Sequence, residues 1–189
     1  VTWEAIASSF LLVAASEMGD KSQLLAFSLA ARFRRPWTVL AGILVAMLVN
    51  NGLAATVGVQ VAARVSPRAL SLVLAGMFTA FGIWTLRTKA LDADAQKPSR
   101  FGPFATTVLL FFLAEMGDKT QLATVALAAR HHAIVGVTLA TTAGMLLADG
   151  LAVWLGDKLA TRARARWVHV VAALLFFAFA AASAWDAAH

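Results

Sequence analysis

The chain has 189 residues, of which 60% are hydrophobic and 14% charged, with a mean hydropathy of +0.76. A soluble domain carries about 25% charge, so this composition excludes an ordinary cytosolic domain, a disordered tail and a coiled coil. The absence of cysteine excludes disulfides and thiolate metal sites, and the net charge of +6 fits basic loops at a membrane surface, with no nucleic-acid partner expected.

Six long apolar stretches predict membrane spans at residues 5–31, 37–60, 68–87, 103–129, 133–156 and 167–186. Each is long enough to cross a hydrocarbon core of about 30 Å as a helix. Strict alternation of apolar and polar residues is absent, which argues against a barrel. Arg34-Arg35-Pro36, Ser66-Pro67, Lys97-Pro98 and Gly102-Pro103 punctuate the spans. The first stretch has no basic region ahead of it and carries acids at its centre, so it reads as a span and not as a signal peptide. Residues 88–101 read as a solvated loop. Eleven basic residues fall in the loops after spans one, three and five, against three (Arg64, Arg68, Arg130) on the other face. By the positive-inside rule both termini lie on the non-cytoplasmic side.

The spans repeat. Residues 10–32, FLLVAASEMGDKSQLLAFSLAAR, and 108–130, VLLFFLAEMGDKTQLATVALAAR, are identical at 13 of 23 positions with an offset of 98. The register continues through Met47 and Met145, Asn51 and Asp149, Gly52 and Gly150, and Phe78 and Phe176. Three spans per copy is an odd number, so the second copy enters the membrane from the opposite side. The expected fold is an all-α integral membrane protein of six transmembrane helices in an inverted-topology 3+3 repeat. It forms one membrane domain over 1–189: repeat one at 1–91, a cytoplasmic linker at 92–101 and repeat two at 102–189. In transporters built this way the substrate site lies at the repeat interface near the midplane.

Glu17, Asp20 and Lys21 fall in the middle of span one, and Glu115, Asp118 and Lys119 in the middle of span four. Each central charge costs roughly 2.5–3.5 kcal/mol to insert, so six unpaired ones cost on the order of 15–20 kcal/mol. Such groups line a pathway or a site. Glu and Asp three residues apart share one face of a helix, with Gln23 and Gln121 further along the same stripe. Ser22 and Thr120 add hydroxyl oxygens. Gly19 and Gly117, between the acids, are places where a helix loosens or breaks, freeing carbonyls for a cation. Bringing Glu17, Asp20, Glu115 and Asp118 together makes an all-oxygen site suited to a hard divalent cation such as Mn²⁺ or Ca²⁺. Four carboxylates and two ammonium groups sum to −2, which one divalent ion or two protons neutralise. Asn51 and the fifth intramembrane acid, Asp149, are candidates for completing the cation shell or relaying protons, or else for interhelical hydrogen bonds. Met18 and Met116 read as packing residues, and His131, His132, His169 and His189 as interfacial.

Glu17-Met18-Gly19-Asp20-Lys21-Ser22 and Glu115-Met116-Gly117-Asp118-Lys119-Thr120 both fit E-x-G-D-(K/R)-(T/S). The doubled motif in a short six-span chain resembles the calcium/manganese–proton exchanger family of Golgi, chloroplast and bacterial membranes, whose architecture is similar to that of the lysine-exporter superfamily. The resemblance implies a divalent cation/proton antiporter, with manganese export foremost, working by alternating access without a resident cofactor. It also implies that the motif acids hold the ion, with Gly19, Lys21, Ser22, Gly117, Lys119 and Thr120 in support. Arginine-over-lysine usage suits the bacterial inner membrane, with Mn²⁺ or Ca²⁺, protons and lipid as partners and a homodimer as a further expectation. The competing readings are a membrane-embedded metalloenzyme, an exporter of a basic amino acid or another organic cation, and a passive channel.

Overall fold

The computed structural model describes residues 3–18, 20–87, 101–155 and 162–188, without the side chains of Lys21 and of several residues between 155 and 172. Expected linker residues 92–100 lie outside the described residues. Everything described is helix or short connection: α1 (Trp3–Glu17), α2 (Lys21–Phe33), α3 (Pro36–Ala62), α4 (Pro67–Arg87), α5 (Pro103–Glu115), α6 (Lys119–His131), α7 (Ile134–Leu155) and α8 (Arg162–Ala188). Eight helices stand where six spans were expected, because the first and fourth stretches are each interrupted inside the repeated motif. Two helices, Pro36–Ala62 and Ile134–Trp154, are each long and apolar enough to cross a bilayer unaided.

The distribution of polarity is that of a protein whose solvent is lipid. Leu53, Val57, Leu72, Leu113, Val135, Leu139 and Leu174 face outward, while Glu17, Glu115, Lys119, Asp149, Asn50 and Asn51 are buried. In water this arrangement forfeits hydrophobic burial and strands charge; in a bilayer it satisfies both.

Packing follows the 98-residue offset. Helices α3 and α7 occupy matching places in the two copies and run antiparallel. Trp37 meets Trp154 edge-on at 5.2 Å, Leu40 lies beside Gly150, Gly52 lies beside Thr138, and Asn51 bonds Thr142 and Met145. Helix α1 packs on α7 as α5 packs on α3, and α2 on α7 as α6 on α3. Helix α4 lies along α8. There Phe78 stacks with Phe176 at 6.4 Å, and the pairs Phe78–Phe179 (5.4 Å) and Phe81–Phe176 (5.8 Å) are related by exchange of the copies. Even the turns correspond. Arg34 and His132, the two non-glycine residues with positive φ among those described (51° and 49°), are 98 positions apart.

Helix α6 approaches α3 closely at Gly58, where a Cβ would sit 2.2 Å from the Val125 carbonyl oxygen. That crossing joins the second half of α6, at Val125 and Ala128, to the long helix. The clash is with backbone, so it is relieved only by moving a helix. Gly58→Ala is expected to cost about 2–3 kcal/mol. The measurement is thermal unfolding of the purified chain in detergent. Gly76→Ala is the control: nothing lies within 4 Å of its Cβ position, so its melting temperature should hold or rise.

Candidate metal centre at the paired helix breaks

Helix α5 stops at Glu115 and α6 starts at Lys119. Between them Met116 is extended (φ −65°, ψ 118°), Gly117 is left-handed (φ +79°) and Asp118 is extended (φ −75°, ψ 165°). A break in a membrane helix leaves amides and carbonyls with no water to serve them. The Gly117 N–H is satisfied by the side-chain carbonyl of Gln121 at 2.7 Å, and the Asp118 N–H donates to the Glu115 carbonyl at 3.2 Å. In repeat one the Asp20 N–H likewise donates to the Glu17 carbonyl at 3.1 Å. Gly19 itself lies outside the described residues. The expectation that Glu and Asp share one helical face is therefore corrected. They stand at the end of one helix and ahead of the start of the next, and the turn between them brings them together.

Each glutamate is held by the hydroxyl five residues on. Ser22 Oγ donates to Glu17 Oε2 at 2.8 Å. Thr120 Oγ1 lies 3.4 Å from Glu115 Oε2 and 3.5 Å from Asp118 Oδ2, able to serve one of them at a time. Glu17 Oε1 is buried without a hydrogen-bond partner. Glu17, Glu115 and Asp118 each present an oxygen, all within 4.8 Å of one another, and all three residues are buried. This trio draws one acid from repeat one and two from repeat two. An oxygen-only set of this kind suits a hard divalent cation.

Asp20 stands outside the trio. It forms an ion pair with Lys119 of the other repeat, whose Nζ is also 3.9 Å from Asp118 Oδ2. The fourth expected carboxylate, Asp20, is joined to the trio through this ammonium group. The Lys21 side chain lies outside the described residues.

The other candidates divide. Asp149 is fully buried, neither of its oxygens has a hydrogen-bond partner, and Ser22 and Glu17 lie within its electrostatic reach. Gln23 donates to the Ala148 carbonyl at 2.8 Å, next to Asp149. Gln121 caps the break, as described. Asn51 is engaged at both ends of its amide: its Nδ2 donates to Thr142 and Met145, and its Oδ1 faces the Thr124 hydroxyl at 3.4 Å. That makes Asn51 a tie between α3, α6 and α7. Its neighbour Asn50 went unweighted in the sequence because its counterpart is Ala148. Asn50 donates to the Phe112 carbonyl at 3.1 Å and keeps Oδ1 buried without a partner. Met116 is exposed and turned away from the acids.

A buried, oxygen-only carboxylate group drawn from both copies of the repeated motif, inside an apolar helical bundle, has the form of a membrane cation carrier. The chain matches the family model described as the divalent cation/proton antiporter GDT1 at residues 5–93 and 103–189, and it belongs to that family. The two matched stretches begin 98 positions apart. A Vibrio cholerae protein named as a candidate manganese exporter is 41% identical over 181 residues, covering 95% of this chain and 90% of that protein. GDT1-like protein sll0615 of Synechocystis sp. is 31% identical over 202 residues, covering 96% and 97%. GDT1-like protein 3 of Arabidopsis thaliana is 30% identical over 208 residues, covering 96% and 70%. No solved structure matches the chain at a significant level.

The left-handed Gly117 gives this site a backbone signature. A Cβ there meets no neighbour within 4 Å, so substitution acts through φ alone. Gly117→Ala is expected to destabilise the chain by about 1–2 kcal/mol, and Gly117→Asn by less, since Asn visits this region more readily. Melting curves of the two variants in the same detergent test the ordering.

Proposed function

We propose that the chain exports Mn²⁺ from the cytoplasm in exchange for protons, with Ca²⁺ as a second substrate. The observation that carries this reading is the trio Glu17, Glu115 and Asp118, which is buried, built from both repeats and made only of oxygen donors. Three carboxylates this close, out of water, require positive charge between them. A divalent cation supplies it, and so do protons after the cation leaves, which makes exchange the natural cycle. Asp149 is the open carboxylate beside the trio and serves the ion or its protons on the way through. Asn50 Oδ1 offers a neutral oxygen on the opposite long helix. Manganese is favoured over calcium by the relative named as a candidate manganese exporter.

The cycle runs by alternating access in the inner membrane. The reading takes six spans as a 3+3 inverted repeat, with repeat one at 1–91, the linker at 92–101 on the cytoplasmic face, repeat two at 102–189, and both termini outside. The antiparallel pairing of α3 with α7, the exchange-related phenylalanine contacts and the doubled family match support that arrangement. The basic loops support the orientation. The broken helices bring the C-terminal ends of α1 and α5, whose dipoles favour positive charge, to the level of the acids.

The test is a pH-sensitive dye inside proteoliposomes, with Mn²⁺ added outside. Wild-type protein should move protons against Mn²⁺, whereas Glu17→Gln and Glu115→Gln, incorporated to the same level, should abolish the signal. Wild-type flux in either variant refutes the assignment. Mn²⁺ entry without proton movement in the wild type identifies a channel instead.

A further inference from the structure

We propose that Lys119 is a tethered competitor for the transported cation: its ammonium group sits among the site carboxylates when no metal is there, and the metal binds by pushing it aside. The proposal rests on the preceding reading of Glu17, Glu115 and Asp118 as the metal site. Lys119 is the first residue of α6 and is 2% exposed. Its Nζ pairs with Asp20 across the repeat boundary, stands 3.9 Å from Asp118 Oδ2 and lies within the electrostatic reach of Glu17. One site carboxylate, Asp118, therefore already has a cation beside it, and that cation belongs to the protein.

An ammonium group is a compact point charge on a flexible four-carbon stem. At this depth the carboxylates are what makes its burial tolerable. A divalent ion held by Asp118, Glu17 and Glu115 places two further positive charges within a few ångströms of Nζ. Like charges at that range in a poorly screened interior repel strongly. The ammonium then withdraws from Asp118 and keeps Asp20 alone. Metal on the trio and Lys119 on Asp118 thus exclude one another. Asp20 is the anchor that lets the ammonium step aside without losing every partner, which accounts for its place outside the trio. The competition weakens metal binding, and it also returns a positive charge to the site as the ion departs. A carrier that holds its ion too firmly cannot release it. Lys119 is in this sense a positioning residue for exchange: it sets the affinity without ligating the ion.

The experiment measures Mn²⁺ affinity of the full chain in detergent at fixed pH, from the electron paramagnetic resonance signal of free Mn²⁺. Lys119→Gln is expected to tighten the dissociation constant by about tenfold or more, and Lys119→Arg, which keeps the charge, to return it toward wild type. Coupled flux through Lys119→Gln in proteoliposomes should fall although binding is tighter, a split that a merely structural lysine does not produce. Lys119→Gln leaves Asp20 buried without its cation, so the double variant Lys119→Gln/Asp20→Asn, which replaces both partners by amides, is measured alongside and carries the same expected tightening. An unchanged or weakened dissociation constant in whichever of the two elutes as a folded, monodisperse species overturns the proposal. Glu17→Gln and Glu115→Gln separate the two levels. If they lose Mn²⁺ while the lysine variants bind as wild type, the competitor role alone is wrong. If they bind as wild type, the site assignment itself is wrong.

Discussion

Carboxylates held together away from water cannot stay charged without company, and the interior of this bundle is arranged around that fact. Glu17, Glu115 and Asp118 face one another within a few ångströms in a region that lipid, not water, surrounds. Each neighbouring feature answers to them. The hydroxyls of Ser22 and Thr120 each lie against one oxygen of a glutamate. The broken helices put the aspartates ahead of helix starts, where the amide dipoles favour negative charge. Lys119 places its positive charge beside Asp118 and pairs across the repeats with Asp20. The apolar shell of leucines and valines keeps the local dielectric low, which strengthens every one of these interactions and leaves no tolerance for an unpaired charge.

The frame around the site is close to symmetric and its polar contents are not. The phenylalanine cluster between α4 and α8, the antiparallel pair α3 and α7, and the matched turns at Arg34 and His132 all respect the exchange of the two copies. Inside, the position equivalent to Asn51 holds Asp149. Gln23 reaches across to α7 while Gln121 folds back on its own helix break. At the bundle's end Arg130 is tied to Ser183 and Asp186, whereas its counterpart Arg32 lies over Phe33. A carrier that alternates between two faces requires a scaffold that is equally comfortable in both states. Directional exchange requires that the two faces differ chemically. The sequence places similarity in the apolar packing and difference in the polar side chains.

Much of this was legible before any coordinates. The helical content, the buried charges and the copy relation follow from hydropathy and from the recurrence of EMGDK in phase, because a charge at mid-span is too costly to recur by accident. The helix break at Gly117 followed from the glycine between two acids. What stayed hidden was the choice of partners. Placing Glu115 and Asp118 on one helical face gave the right proximity, but it is the turn at the break that brings them together. The separation of Asp20 from the trio depends on Lys119 arriving from α6. The pairing of Lys119 with Asp20 spans 99 residues and is a tertiary contact that no local pattern encodes.

The copy relation has a consequence for ancestry. Two identical chains, each carrying three spans and inserted in opposite senses, would reproduce the phenylalanine cluster and the antiparallel long helices without further change, since those contacts are exchange-related already. They would not reproduce the present interior. A pair of first halves would set asparagine at both positions now held by Asn51 and Asp149, and a pair of second halves would set aspartate at both. Fusion into one chain is what permits the halves to hold different residues at equivalent places. The fully buried Asp149 records a divergence that a symmetric ancestor had no means to make.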